Sequence, residues 1–503
     1  SLAIVYTRAQ VGIDAPLVTV EVHLSGGLPS FSIVGLPETA VKESRERVRS
    51  ALINSGYDFP QRRITVNLAP ADLPKEGGRY DLAIAMGILA ASAQVSAESL
   101  TSLELIGELA LSGELRPVAG VLPVALACRE AKRGLLLPAE NGADATLASG
   151  LNVYPANHLL DVCAHLKGEQ LIGCAVAKPF ERNYQALYPD LSDVKGQLQA
   201  KRALEIAAAG SHNLLLVGPP GSGKSMLANR LPGLLPDMTE SERLQVASIH
   251  SIAQRSGGEG LMCQRPFRAP HHTASSVALV GGGGNPKPGE ISLAHQGVLF
   301  LDELPEFSRK VLEVLREPIE SGEILISRAA RQSVFPARFQ LVTAMNPCPC
   351  GYYADGSERC RCSPDQVRRY QSRVSGPLLD RIDLQLSVQA LSQKELMAFP
   401  EAQETSEQVR ARVILSRGRQ IERQGYPNQL LEGKQLEQIC SIGEADKEML
   451  AQALEKLQLS ARAYHRVLRV ARTIADLAGV KHVERNHLLE ALSYRVSART
   501  LLQ

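Results

Sequence analysis

The stretch LLLVGPPGSGKSML, residues 214 to 227, constrains this chain more than any other. Four apolar residues run straight into Gly218, Pro219, Pro220, Gly221, Ser222, Gly223, Lys224 and Ser225, in the spacing G-x4-G-K-S. An apolar run, a glycine-rich turn and a further apolar stretch read as buried strand, loop and helix. In that setting the glycines let backbone N–H groups wrap phosphates at the helix N-terminus. Lys224 neutralises the β and γ oxygens, and Ser225 can ligate magnesium. An ordinary Gly/Pro-rich turn is the plainer alternative, and the intact strand–loop–helix context argues against it. The expected ligands are ATP and Mg2+.

About 75 residues on, GVLFLDELPEF is an apolar strand ending in Asp302 and Glu303. An acid at a strand's carboxyl end beside a phosphate loop can hold the Mg2+ shell, and an adjacent carboxylate can polarise the attacking water. Alone, LDEL reads better as an ordinary strand-to-helix capping sequence; paired with the phosphate loop at this separation, the catalytic reading wins. FQLVTAMNP ends a third apolar strand on Asn346, a candidate for orienting water at the γ-phosphate or a simple turn asparagine before proline. SGPLLDRIDLQL holds Arg381 between two acids. It is either a surface ion-pair arginine or a residue that a ring would offer to its neighbour's site.

At 503 residues the chain exceeds one ordinary core, so several domains are expected. Its 44% apolar and 21% charged residues are those of a globular protein that does not enter a membrane, and no apolar run reaches a bilayer-spanning length. The first residues lack a signal-peptide layout, so a cytoplasmic location is expected. The formal net charge of +2 says nothing by itself about nucleic acid. Residues 1–175 mix short β-rich and helical segments as an α/β unit, with a polar linker at 176–192. Residues 193–390 alternate helices and short apolar strands like a parallel-sheet α/β core, and 391–503 are almost wholly helical.

AMNPCPCGYYADGSERCRC places Cys348, Cys350, Cys360 and Cys362 as CxC-x9-CxC, within an insertion at 346–364. In a reducing compartment four clustered cysteines point to metal rather than disulfides. Four thiolates can build a Zn–S4 cage, although CxC is tighter than CxxC and Pro349 restricts it further. Reduced structural thiols and a redox switch remain the alternatives. His271 and His272 lack a third ligand nearby in sequence, which favours a loop or interface role over metal.

Taken together, the phosphate loop, RPFRAPHHTASSVALVGGG, PGEISLAHQGVLFLDELPEF and AMNPCPCG resemble the magnesium-chelatase-like AAA+ ATPases. The resemblance covers essentially the whole chain. It implies an AAA+ core with a helical lid, with Asn346 as sensor 1, Arg381 as arginine finger and Arg462 as sensor 2. Arg466 and Arg469 lie on or near the same helical face and compete with Arg462 for that role. The resemblance further implies a homo-hexameric ring that moves on single-stranded and branched DNA and migrates branch points in homologous recombination, notably natural transformation, with recombination proteins as possible partners. The hairpin SGEILISRAARQSVFPARFQLV would then face the pore, with Arg328 and Arg331 on backbone phosphates; solvated arginines on an exposed hairpin are the alternative. The five arginines of EQVRARVILSRGRQIERQG read as a solvated or intersubunit helix face.

The first 175 residues resemble the proteolytic domain of Lon proteases, a ribosomal S5 domain 2-like α+β fold. That chemistry needs a serine activated by a lysine. By motif pairing those positions hold Arg79 and Leu122, which cannot transfer acyl groups, so a catalytically empty relative is expected. A metal-insertion remodeller like the clade's namesake is the competing reading of the whole chain. Against it, the chain has no acidic metal-handling tract. A protease is opposed by Arg79 and Leu122, and a scaffold by the complete hydrolytic set.

Overall fold

The structure, a computed structural model, describes all residues except 178–187, 254–263, 283–285, 329–330, 356–357, 392–402, 458–459 and 503; the side chains of 327, 328, 331, 461 and 496–502 are also left aside. The chain divides into two compact units, Ser1–Glu181 with Leu244–Met262, and Arg182–Arg243 with Cys263–Gln503. No described helix is long and apolar enough to cross a membrane.

The first unit is built on a mixed seven-stranded sheet. Its spatial order is Ser30–Val34, Arg63–Ala69, Leu17–Ser25, Leu2–Arg8, Leu103–Leu105, Gly134–Pro138, Val153–Ala156. Leu17–Ser25 alternates, sending Val18, Val20, Val22 and Leu24 to one buried face, as period-2 geometry requires. Helix Asp81–Ala91 is apolar nearly all round and correspondingly buried. Gly87 lets it approach the sheet, since a Cβ there would run into Val22. Leu122 is 1% exposed in a second apolar cluster, onto which Leu244 and Ala247 pack. Arg79 donates to Gln10 Oε1 at 2.8 Å and to the Ala119 carbonyl at 2.7 Å. Neither position presents a nucleophile or a base.

The second unit holds a five-stranded, wholly parallel sheet ordered Phe267–Arg268, Val298–Leu301, Gln340–Met345, Leu214–Val217, Leu384–Ser387. Every residue of Leu214–Val217 is fully buried. Burying such a side chain stabilises by roughly 1.5–3 kcal/mol, which anchors the loop that follows. The helical remainder comprises Ser406–Gln424, Gly433–Ile439, Glu444–Lys456, Ala461–Ala478 and Arg485–Leu502. Ser406–Gln424 begins at a capping box between Thr405 and Gln408 and stops at Gly425, which is left-handed at φ 85.

The five arginines of that helix are tied inside the second unit. Arg410 meets Asp237, Arg412 bridges Glu205 and Glu404, Arg417 donates to the carbonyls of Ala208 and Ala209, and Arg419 and Arg423 reach Asp476. Burial pushes the Arg417 guanidinium down to about 9. The helix is thus braced within its own unit through these arginines, while Arg419 and Arg423 remain exposed.

Candidate nucleotide site and cysteine cluster

The candidate catalytic residues sit at the carboxyl ends of three consecutive strands of the parallel sheet, where such sheets bind ligands. The phosphate loop leaves Leu214–Val217 and enters the helix Lys224–Ala228 through Gly223, left-handed at φ 90. Gly218 is required by space, because a Cβ there would collide with the Val388 carbonyl oxygen. Lys224 is 8% exposed, and its ammonium donates to the carbonyls of Gly218 at 2.8 Å and Pro219 at 2.9 Å and to Asn346 Oδ1 at 3.2 Å. Burial lowers its pKa against the pull of Asp302. Ser225 Oγ donates to Asp302 Oδ2 at 2.6 Å. Two oxygen donors so placed suit a hard cation such as Mg2+.

Glu303 follows Asp302 in the left-handed region, φ 53, and its backbone N–H donates to Asp302 Oδ1 at 2.9 Å. That turn sends the two carboxylates different ways. Asp302 faces the loop, whereas Glu303 stays half-exposed and meets His272, Nδ1 to Oε2 at 3.0 Å. The His272 ring lies beside that of His271, tilted by 33° with centroids 4.1 Å apart. One member of a histidine pair read from sequence as a loop feature, His272, therefore touches the candidate base. Only a fold that returns residue 272 to the end of strand Val298–Leu301 reveals this.

Arg381 is 6% exposed, with Nη2 2.7 Å from Glu320 and Nη1 donating to the Pro377 carbonyl at 2.8 Å. The three arginines near the start of Ala461–Ala478 separate cleanly. Arg466 pairs with buried Asp383 at 2.8 Å and donates to the Arg381 carbonyl at 3.1 Å. Arg469 donates to the Leu431 carbonyl at 2.6 Å. Arg462 is exposed. Strands Glu323–Arg328 and Arg331–Pro336 form an antiparallel hairpin closed by the pair Arg328↔Arg331, whose side chains lie outside the described residues.

Cys348, Cys350, Cys360 and Cys362 bring their sulfurs within 4.8 Å of one another, all as free thiols. Cys348–Cys350, Cys350–Cys360 and Cys348–Cys360 are 3.3, 3.6 and 3.8 Å apart. A tetrahedral site with Zn–S bonds of about 2.3 Å has edges of about 3.8 Å, so the cage is the right size for zinc. Burial opposes ionisation of Cys350, but backbone N–H groups of Tyr352 and Arg361 outweigh it and lower its pKa. Gly351, left-handed at φ 88, packs the turn directly on Pro220 of the phosphate loop, with the Asn346 side chain beside it. Gln371 donates to the Pro347 carbonyl at 2.9 Å, drawing helix Pro364–Gln371 back under the same turn.

Three family profiles match: magnesium chelatase subunit ChlI over residues 190–396, subunit ChlI of Mg-chelatase over 20–141, and the subunit ChlI C-terminal region over 403–495. Competence protein ComM of Haemophilus influenzae is 55% identical over 504 residues, covering 100% of this chain and 99% of that one. The chain belongs to the magnesium-chelatase-like AAA+ family. In this ComM-type AAA+ chain ATPase activity with ATP and Mg2+ follows from membership. YifB of Escherichia coli is 51% identical over 502 residues, 100% of this chain and 98% of its own. The magnesium-chelatase 38 kDa subunit of Rhodobacter capsulatus is 25% identical over 328 residues, 61% of this chain and 87% of that subunit.

Proposed function

We propose that this AAA+ ATPase is a ring-forming DNA motor, a homo-hexamer that couples ATP hydrolysis to movement of branched and single-stranded DNA in homologous recombination, notably during natural transformation. The convergence of Lys224, Ser225, Asp302 and Asn346 on one loop carries the hydrolytic part. Full-length likeness to a competence protein, and a hairpin closed by two arginines, support the DNA part.

In this reading the loop N–H groups and Lys224 hold the triphosphate. Ser225 and Asp302 would hold Mg2+, which would supply charge neutralisation at the phosphate oxygens. Glu303 accepts a proton from the water attacking the γ-phosphorus, and the bond to the bridging oxygen breaks to release ADP. Asn346 orients that water. Arg381 of one subunit serves the site of its neighbour once it has left Glu320, and exposed Arg462 serves as sensor 2. Cys348, Cys350, Cys360 and Cys362 would hold a zinc ion, which would stiffen the turn packed on Pro220 beside Asn346. Arg328 and Arg331 bind DNA phosphates without reading sequence.

The test is steady-state ATP hydrolysis with no DNA, single-stranded DNA and four-way-junction DNA, across a salt series. Several-fold stimulation that fades with salt is expected. Hydrolysis indifferent to either DNA contradicts the reading and turns attention to a remodeller acting on a protein partner.

A further inference from the structure

The first unit carries a basic, aromatic cleft that the nucleotide chemistry does not use. It encloses about 310 Å³ and is lined by Arg45, Arg49 and Arg62 with Phe31, Phe59 and one acid, Glu46. Its floor is the edge of the seven-stranded sheet, where Ser30–Val34 pairs on one side only, with Arg63–Ala69. Its wall is helix Ser44–Asn54, which presents Arg45 and Arg49 one turn apart.

The phenyl rings of Phe31 and Phe59 lie 5.9 Å apart at 48°, and the Arg49 guanidinium sits over the Phe59 ring at 5.6 Å. Both rings are only partly covered, and all three arginines are exposed. Among the described residues none of the three is ion-paired to a carboxylate, although nearby Arg47 is committed to Asp81 at 2.7 Å. Arg45 makes only carbonyl contacts, to Lys42 and Phe31. Guanidiniums without carboxylate partners beside partly exposed rings match what a single nucleic-acid strand offers, alternating phosphates with flat bases. An acidic peptide would use the charge and leave the rings idle.

We infer that this cleft binds one or two nucleotides of single-stranded nucleic acid, with phosphate on Arg45 and Arg62 and a base stacked at Phe31, Phe59 and Arg49. It is a second contact for the strand, separate from the ATPase unit, and it rests on the DNA-motor reading above.

The experiment measures anisotropy of a fluorescent oligo(dT) with the full chain, comparing wild type, Arg45→Ala/Arg62→Ala and Phe59→Leu, with DNA-free ATPase as the folding control. The double arginine variant should bind about tenfold more weakly and lose about 1.4 from its log–log salt slope, two phosphates at about 0.7 each. Phe59→Leu should weaken binding while leaving the slope unchanged. Poly-aspartate should compete poorly. Unchanged affinity and slope in both variants, with junction processing intact, overturns the cleft and spares the motor. Equal competition by poly-aspartate also overturns it, in favour of an acidic protein partner. A wild type that binds no oligonucleotide removes both readings.

Discussion

His272 holds Glu303: the imidazole Nδ1 lies 3.0 Å from Oε2 of the carboxylate, on a backbone turned left-handed at Glu303. Without a partner a half-exposed glutamate samples several rotamers, so the contact selects where this proposed base points. His272→Ala should lower kcat roughly tenfold, a fraction of the 10²–10⁴ a positioned base supplies, with KM for ATP unchanged. A rise in KM at constant kcat would place His272 in nucleotide binding instead.

Arg381 gives a test of the ring. Its guanidinium rests on Glu320 in the same subunit, and the proposed role is at the neighbour's site. Arg381→Ala and Lys224→Ala should each be inactive alone, yet mixing them should restore a measurable part of wild-type ATPase, because some interfaces pair an intact loop with an intact arginine. No recovery in freshly mixed, exchanging subunits contradicts action in trans.

Asp383 makes stability depend on acid. Burial opposes its ionisation, but Arg466 and His212 outweigh that and hold the carboxyl below the ordinary range. A depressed folded pKa means its contribution is whole above about pH 3.9, the unfolded value, and shrinks as pH falls towards the folded one. Arg466→Leu leaves a buried carboxylate uncompensated and should cost about 3–5 kcal/mol in denaturant unfolding. It should also flatten the acid side of the stability profile. A cost under about 1 kcal/mol would show that the pair does not join the helical region to the sheet.

The legible and illegible parts divide by range of interaction. Gly218 to Ser225, Asp302 and Asn346 are local patterns at strand ends, and the parallel sheet brings them together as their spacing implied. The cysteine pairs likewise converge. For the five arginines of Ser406–Gln424, local charge alone does not reveal the acids and carbonyls that hold them. Their partners, Glu205, Asp237 and Asp476 among them, lie on other elements of the second unit. The choice among Arg462, Arg466 and Arg469 was open for the same reason. One helical face presents all three, and partners distant in sequence, Asp383 for Arg466 and the Leu431 carbonyl for Arg469, engage two of them.

The cysteine turn should transmit metal to the nucleotide site through Gly351 and Pro220. Cys348→Ser/Cys350→Ser should abolish about one zinc per chain by elemental analysis, lower Tm and reduce ATPase in the same preparation. Wild type stripped by chelator should follow it. Metal-free protein with unchanged kcat and unchanged assembly contradicts the support role.

The most direct measurement follows arm exchange on a labelled four-way junction alongside phosphate release, for wild type and Glu303→Gln. The account predicts ATP-dependent resolution into duplex arms by wild type, and a variant that retains ATP but turns over 10²–10⁴-fold more slowly and moves no branch. Phosphate release by wild type without arm movement, or near-normal turnover in Glu303→Gln, would contradict it.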